Sequence, residues 1–238
     1  MQLPGKAYRM MINVEGICRR KDTPGAFAGA AAVHERKFGG INDLHFLLPT
    51  KRFPQTKRGA EIFSLILGME LALLAYYGHK LSIERARGRN QRVRPLTSSQ
   101  NVNRYTPRRE PPPGAIWLED QPGLKIDVVI KTASLFAANF MTGNLDDDMI
   151  ESAMDENPEL ISIAQARETE LRRYGEVRYL HVQYDAENPA SSSCTACLDV
   201  HDVVGVESEY WRHWDLYEYV DQRLATSYRP NRPRRHRR

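Results

Sequence analysis

A chain of 238 residues, 41% hydrophobic and 27% charged, has the makeup of one soluble globular domain with appendages, which excludes a disordered or fibrous protein. Its three cysteines exclude a disulfide framework, and no run of apolar residues reads as a membrane span or signal peptide. A reduced cytoplasmic or nuclear protein, not a secreted one, is expected.

In chain order, residues 8–15, YRMMINVE, alternate Tyr8, Met10, Ile12 and Val14 on one face and predict a strand. KDTPG (21–25) is a turn. The Ala- and Gly-rich stretch 26–35 reads as the returning hairpin partner, its small residues letting helices approach the sheet. LHFLLP (44–49) completes a three-stranded antiparallel meander. The strongest helix spans 57–77, where Ile62, Leu65, Ile66, Met69, Leu73 and Tyr76 form an apolar stripe and Gly78 is the expected stop. Residues 79–123 show no sustained periodicity and read as a long Pro/Arg-rich insertion. LKIDVVIK (124–131) is the next strand, with a short helix at about 134–141. A helical region follows at 146–174, then a strand at 177–184 and a last core helix in NPASSSCTACLDVHDVV. The expected domains are a body over 1–199, a helical extension over 200–228 and an Arg-rich tail over 229–238. The order β-β-β-α-β-α-α-β-α implies an α/β fold, a mixed five-stranded sheet with helices on both faces.

The charge is sharply partitioned. Residues 78–114 hold nine Lys/Arg against two Glu, and residues 229–238 hold six Arg and no acid. The body is therefore acidic, and the basic segments suit a polyanion.

Four corners of this pattern resemble the ribonuclease H family, type 1. NVEGICRR places Glu15, Gly16, Ile17, Cys18 and Arg19 where the family has Asp-Gly and small or polar residues. PQTKRGAEIF places Thr56, Lys57, Arg58, Ala60 and Glu61 on the family's Thr and its Ala-Glu at the head of the long helix. IKTAS puts Ala133 where the family has an Asp, between Thr132 and Ser134. NPASSS supplies Asn188, but only Ser191 or Ser192 stands where the last acid is expected.

The resemblance implies a site in which four acids hold two Mg²⁺ ions, about 3.5–4 Å apart, astride a phosphodiester. Here Glu61 is kept, Glu15 is one methylene longer than the family's Asp, and Ala133 and Ser191/Ser192 bear no carboxylate. The expectation is a degenerate member, a pseudoenzyme with a weak metal site on Glu15 and Glu61 or none. Asp127 lies six strand residues, about 20 Å, from Ala133. Asp185 and Glu187 flank the end of the fifth strand, and Asp146, Asp147 and Asp148 lie beyond the short helix.

What the resemblance leaves is binding. RNA or an RNA–DNA hybrid is the implied partner, contacted by Gly16, Ile17, Cys18, Arg19, Thr56, Lys57, Arg58 and Ser134. Ser134 and Thr132 equally suit capping of the following helix. Glu15 and Glu61 equally suit a helix cap or pairing with Arg19 or Arg58. Residues 145–176, with ten acids and three Arg, would repel a duplex. Two other readings stand: an active Mg²⁺-dependent hybrid ribonuclease using a recruited acid, and a scaffold for a protein partner. Cys194 and Cys197 form a C-x-x-C suited to core packing more than to zinc or redox chemistry. His181 and His201 lack a diagnostic metal spacing. Trp211, Trp214 and Tyr217 suit packing on the body.

Overall fold

The alternation of Met10, Ile12 and Val14 along the first strand marks the centre of the molecule: all three are fully buried in a computed structural model of the chain. The structure describes residues 8–21, 23–34, 43–92, 125–183 and 188–204. Five strands, β1 (Tyr8–Arg19), β2 (Phe27–His34), β3 (Asp43–Leu47), β4 (Ile126–Thr132) and β5 (Gly175–His181), form one sheet in the order β3-β2-β1-β4-β5. β1, β2 and β3 pair antiparallel, β4 runs parallel to β1, and β5 runs parallel to β4. This is the mixed sheet expected from the sequence.

β1 is longer than its alternation suggested. The hairpin ladder with β2 carries it past Glu15, through Gly16 opposite Ala30, to Arg19 opposite Phe27. The small residues of β2 serve two layers. Ala28, Ala30 and Ala32 pack beneath the long helix α1 (Lys57–Arg92). On the opposite face Phe27 and Ala31 pack against Ala190, Cys194 and Leu198 of the last helix, α5 (Pro189–Val204). Period-two alternation of the strand thus puts one helix on each side of the sheet.

Helix α1 does not stop at Gly78. It continues to Arg92, so residues 79–92 extend the core helix instead of opening an irregular insertion. A stopping glycine takes a left-handed backbone, and Gly78 does not. A glycine inside a helix costs only about 0.5–1 kcal/mol, which flanking helix formers and packing offset. Over Lys57–Lys80 this helix is, by length and mean hydropathy of 1.6, apolar enough to cross a membrane, contrary to the composition reading. With 89% of its apolar window buried inside the fold, α1 is the core helix of the domain.

The remaining helices are α2 (Leu135–Thr142), α3 (Asp147–Glu156) and α4 (Pro158–Arg172). The single helical region expected at 146–174 is split at Asn157-Pro158, because Pro158 has no N–H to donate and begins a new helix at its first turn. Glycine does end α2: Gly143, at φ +70°, donates its N–H to the carbonyls of Asn139 and Phe140. Between α1 and α4, buried Glu70 meets the Arg167 guanidinium, which also binds Glu170 at 2.9 Å. Residues 93–123 of the expected insertion, the extension beyond Val204 with Trp211, Trp214 and Tyr217, and the 229–238 tail lie outside the described residues.

Candidate functional site

The site is assembled where β1 outruns its neighbour. β4 pairs with β1 only as far as Thr132 opposite Val14. Ala133 and Ser134 follow at the strand end, beside Glu15. Above them sits the first turn of α1, brought close by Gly16. A Cβ at Gly16 would lie 2.2 Å from the Ala60 carbonyl oxygen, so only glycine allows this approach. Glu61 follows Ala60 and is carried to the same place. Residues 15, 61, 133 and 188, distant in sequence, therefore converge.

Each glutamate has polar intrachain neighbours. The Asn188 side-chain amide donates to Glu15 at 2.7 Å and to the Val14 carbonyl at 3.1 Å. The Ser134 side chain acts on Glu61 from the start of α2, lowering its carboxyl pKa. Lys57 stands one turn before Glu61, its ammonium 3.9 Å from the carboxylate. Burial raises the pKa of both carboxyls above the ordinary glutamate range. For Glu15 the Asn188 amide and Lys57 pull it back, and for Glu61 Ser134 and Lys57 do so against the repulsion of Glu15.

Ser134 takes the capping role: its hydroxyl accepts the Ala137 N–H at the start of α2, while the Thr132 hydroxyl accepts the Ser134 N–H. Thr56 caps α1 by accepting the Gly59 N–H at 3.0 Å. Ser191 and Ser192 lie in the first turn of α5, where the Ser192 hydroxyl donates to the Pro189 carbonyl at 3.3 Å.

The cations are differently placed. Lys57 projects into solvent with 68% of its side chain exposed. Arg58 turns towards α3, donating to Ser152 at 2.7 Å and Glu156 at 3.3 Å, and stacks over Phe136. Arg19 pairs with Asp199 at 2.5 Å and Asp202 at 2.8 Å on α5. Among the described residues neither arginine forms an ion pair with Glu15 or Glu61; Arg58 acts on Glu61 only at longer range, lowering its carboxyl pKa, while Lys57 and Asn188 make the close contacts. The acidic α3 and α4 are strapped to the head of α1 by Arg58–Glu156 and by Arg52–Glu159. Gly16 and Cys18 lie in the β1–β2 ladder, and the Cys18 thiol donates to the Gln55 carbonyl at 3.3 Å.

Asp127 stands at the far end of β4, between Arg9 at 3.3 Å and Arg178 at 2.6 Å. Asp146, Asp147 and Asp148 begin α3. Asp185 and Glu187 lie outside the described residues. Among the described residues no three His, Cys, Asp or Glu side chains gather in a way that could hold a metal ion. Cys194 is buried with its thiol pushed up to about 12, and Cys197 to about 11, both by burial, which suits packing and not thiolate chemistry.

Sequence reasoning missed three participants. His181, at the end of β5, brings Nε2 to 3.2 Å from the Ala133 carbonyl. Gln55 accepts the Ala28 N–H at 2.8 Å and donates to the Phe53 carbonyl, fixing the approach to α1. Arg20 joins Arg19 on Asp202 at 2.9 Å. The β4–β5 ladder, which sets His181 opposite Thr132, is what brings it to Ala133, while Arg20 acts across elements far apart in the chain.

Three antiparallel strands, a long helix, two further strands parallel to the first and a final helix on the opposite face make a diagnostic connectivity, and its corners bring residues 15, 61 and 133 together. The fold is ribonuclease H-like. Among solved structures, this ribonuclease H-like chain is similar to the N-terminal RNase H domain of a Mycobacterium tuberculosis protein, solved as a fusion with maltose-binding protein. That likeness is at 16% identity, over 84% of this chain and 99% of that one, with a TM-score of 0.47. It is also similar to LC11-RNase H1, solved in complex with an RNA/DNA hybrid, at 14% identity, over 80% and 96% of the two chains, with a TM-score of 0.43. The RNase H domain of PFV is 13% identical over 82% and 92%, with a TM-score of 0.35. Comparison with protein-family models and with curated proteins finds no match.

Proposed function

We propose that this chain is a nucleic-acid-binding module, taking RNA or an RNA–DNA hybrid along the β1–α1 edge without cleaving it. One observation carries the reading: Asn188 is hydrogen-bonded to Glu15 and the Lys57 ammonium stands beside Glu61, next to a methyl group at Ala133. Two Mg²⁺ ions want hard oxygen ligands in near-ideal octahedra. A half-buried Glu15 already bonded to Asn188 and a buried Glu61 beside Lys57, both with raised pKa values, do not fit a pair of dications. An ammonium beside them adds like charge. Such a donor set supports loss of two-metal hydrolysis.

Binding draws on a different set. Among the described residues, the β1–β4 ladder ends at Val14, and β1 continues past it through Gly16 to Arg19. Thr56, Lys57, Arg58 and Ser134 line the adjoining helix starts. The exposed Lys57 ammonium is a point charge suited to a phosphate. The basic segments at 78–114 and 229–238 add sequence-independent attraction.

The test is a binding titration of the purified chain against an RNA–DNA hybrid, duplex RNA and single strands at several salt concentrations, run beside a cleavage assay in Mg²⁺ and Mn²⁺. Binding that weakens steeply with salt, with no cleavage, is expected. Mg²⁺-dependent cleavage abolished by Glu61→Gln overturns the inactive reading. Salt-indifferent behaviour towards every nucleic acid overturns binding.

A further inference from the structure

Two acids in the described structure each bridge two arginines, and they sit near opposite ends of β1. Asp127 bridges Arg9 and Arg178 at the end away from the site. Asp202 bridges Arg19 at 2.8 Å and Arg20 at 2.9 Å at the hairpin end, and Asp199 adds a second acid on Arg19. The second cluster adjoins the part of β1 that runs past the β4 ladder. Arg19 lies four strand residues, about 13 Å, from Glu15. That is about four steps of one nucleic-acid strand at about 3.4 Å each.

We propose that Arg19 and Arg20 form a phosphate subsite that Asp199 and Asp202 of α5 keep closed in the free chain. The proposal rests on the nucleic-acid-binding reading and names a control on that same site.

The local geometry suits it. Arg19 is the last residue of β1 and Arg20 the first of the turn. Arg20 takes a left-handed backbone at φ +50°, and its carbonyl accepts both the N–H and the hydroxyl of Thr23. Its guanidinium lies 5.7 Å from the centre of the Phe27 ring. On the helix side, His201 rests on the same ring at 4.7 Å between centroids. Phe27 thus sets the spacing between the turn and the end of α5. Both guanidinium forks are held side by side at the surface before any ligand arrives.

Asp199, 60% exposed, is the more displaceable acid; Arg20 is 63% exposed, while Arg19 and Asp202 are 27% and 29% exposed. Exposed ion pairs contribute only about 0.2–1 kcal/mol. Phosphate takes the same planar fork through two parallel charge-assisted hydrogen bonds. Each phosphate accepted must therefore exchange with a carboxylate, which lowers affinity for weakly charged ligands and leaves it for dense polyanions.

The experiment compares two charge-matched double variants in the salt titration with an RNA–DNA hybrid. D199N/D202N unmasks Arg19 and Arg20. D127N/E176Q removes the same number of acids beside Arg9 and Arg178. The expected result is severalfold tighter binding by D199N/D202N alone, with the salt slope steeper by about 1–2. Equal tightening in both variants overturns the subsite, because it reports net charge only. An unchanged D199N/D202N variant, where the parent chain binds, overturns it and leaves the binding reading standing. If no form binds any nucleic acid, both readings fall. Should D199N/D202N not fold, R19Q/R20Q serves in its place: weaker binding with a slope shallower by about 1–2 is expected, and parental behaviour overturns the proposal.

Discussion

Asn188 donates its side-chain amide to Glu15 at 2.7 Å, across 173 residues of sequence. The same amide donates to the Val14 carbonyl, and its carbonyl accepts the Ala190 N–H at the start of α5. One side chain therefore caps the last helix and ties it to the central strand. Replacing it with alanine removes a cap and leaves a half-buried carboxyl short of a donor. Asn188→Ala is expected to lose about 2 kcal/mol or more in urea unfolding. A loss below a few tenths would show that water replaces the amide.

Glu61 tests the electrostatics of the pair. Burial raises its carboxyl above the ordinary range, so the folded state holds the proton more tightly than the unfolded state. Its contribution is fully present below the unfolded value and is lost as pH rises through the folded one. Glu61→Gln should therefore raise the melting temperature at pH 7, with the gain shrinking towards pH 4. Parallel melting curves for both proteins across that window would contradict the assignment.

Ala133 is the position at which a carboxylate would complete a cluster. Ala133→Asp adds a third acid beside Glu15 and Glu61. Without metal, the variant is expected to melt below the parent, through like-charge repulsion. Millimolar Mn²⁺ should raise its melting temperature and leave the parent unmoved, since a ligand held only by the folded state stabilises by mass action. Calorimetry with Mn²⁺ reads the same difference directly.

Gly16 sets the distance between strand and helix. A methyl group there would meet the Ala60 carbonyl at 2.2 Å, with backbone on both sides. Gly16→Ala is expected to cost about 1–3 kcal/mol, or more if α1 is displaced. Because that displacement would carry Glu61 with it, the Glu61 effect on the pH dependence of melting should also diminish in this background.

Glu70 and Arg167 form the charged contact between α1 and α4 inside the core. Burial raises the Glu70 carboxyl and Arg167 opposes the rise. Arg167→Met strands a buried acid and is expected to cost about 3–5 kcal/mol at pH 7. Combining it with Glu70→Leu should recover most of the loss. A double variant as unstable as the single would place the cost in packing instead.

Strand alternation at Met10, Ile12 and Val14, the apolar stripe of α1 and the order of the elements were legible in the chain because each depends on local periodicity. The positions Glu15, Glu61, Ala133 and Asn188 came from the resemblance and not from periodicity. The tertiary structure decided what those side chains do. Asn188 took Glu15, Lys57 stands beside Glu61, α5 took Arg19, and α3 took Arg58, because hydrogen bonds and ion pairs follow distance in space. The run of α1 through Gly78 was decided there too: a glycine ends a helix only where its backbone turns left-handed, and packing, not residue type, sets that turn.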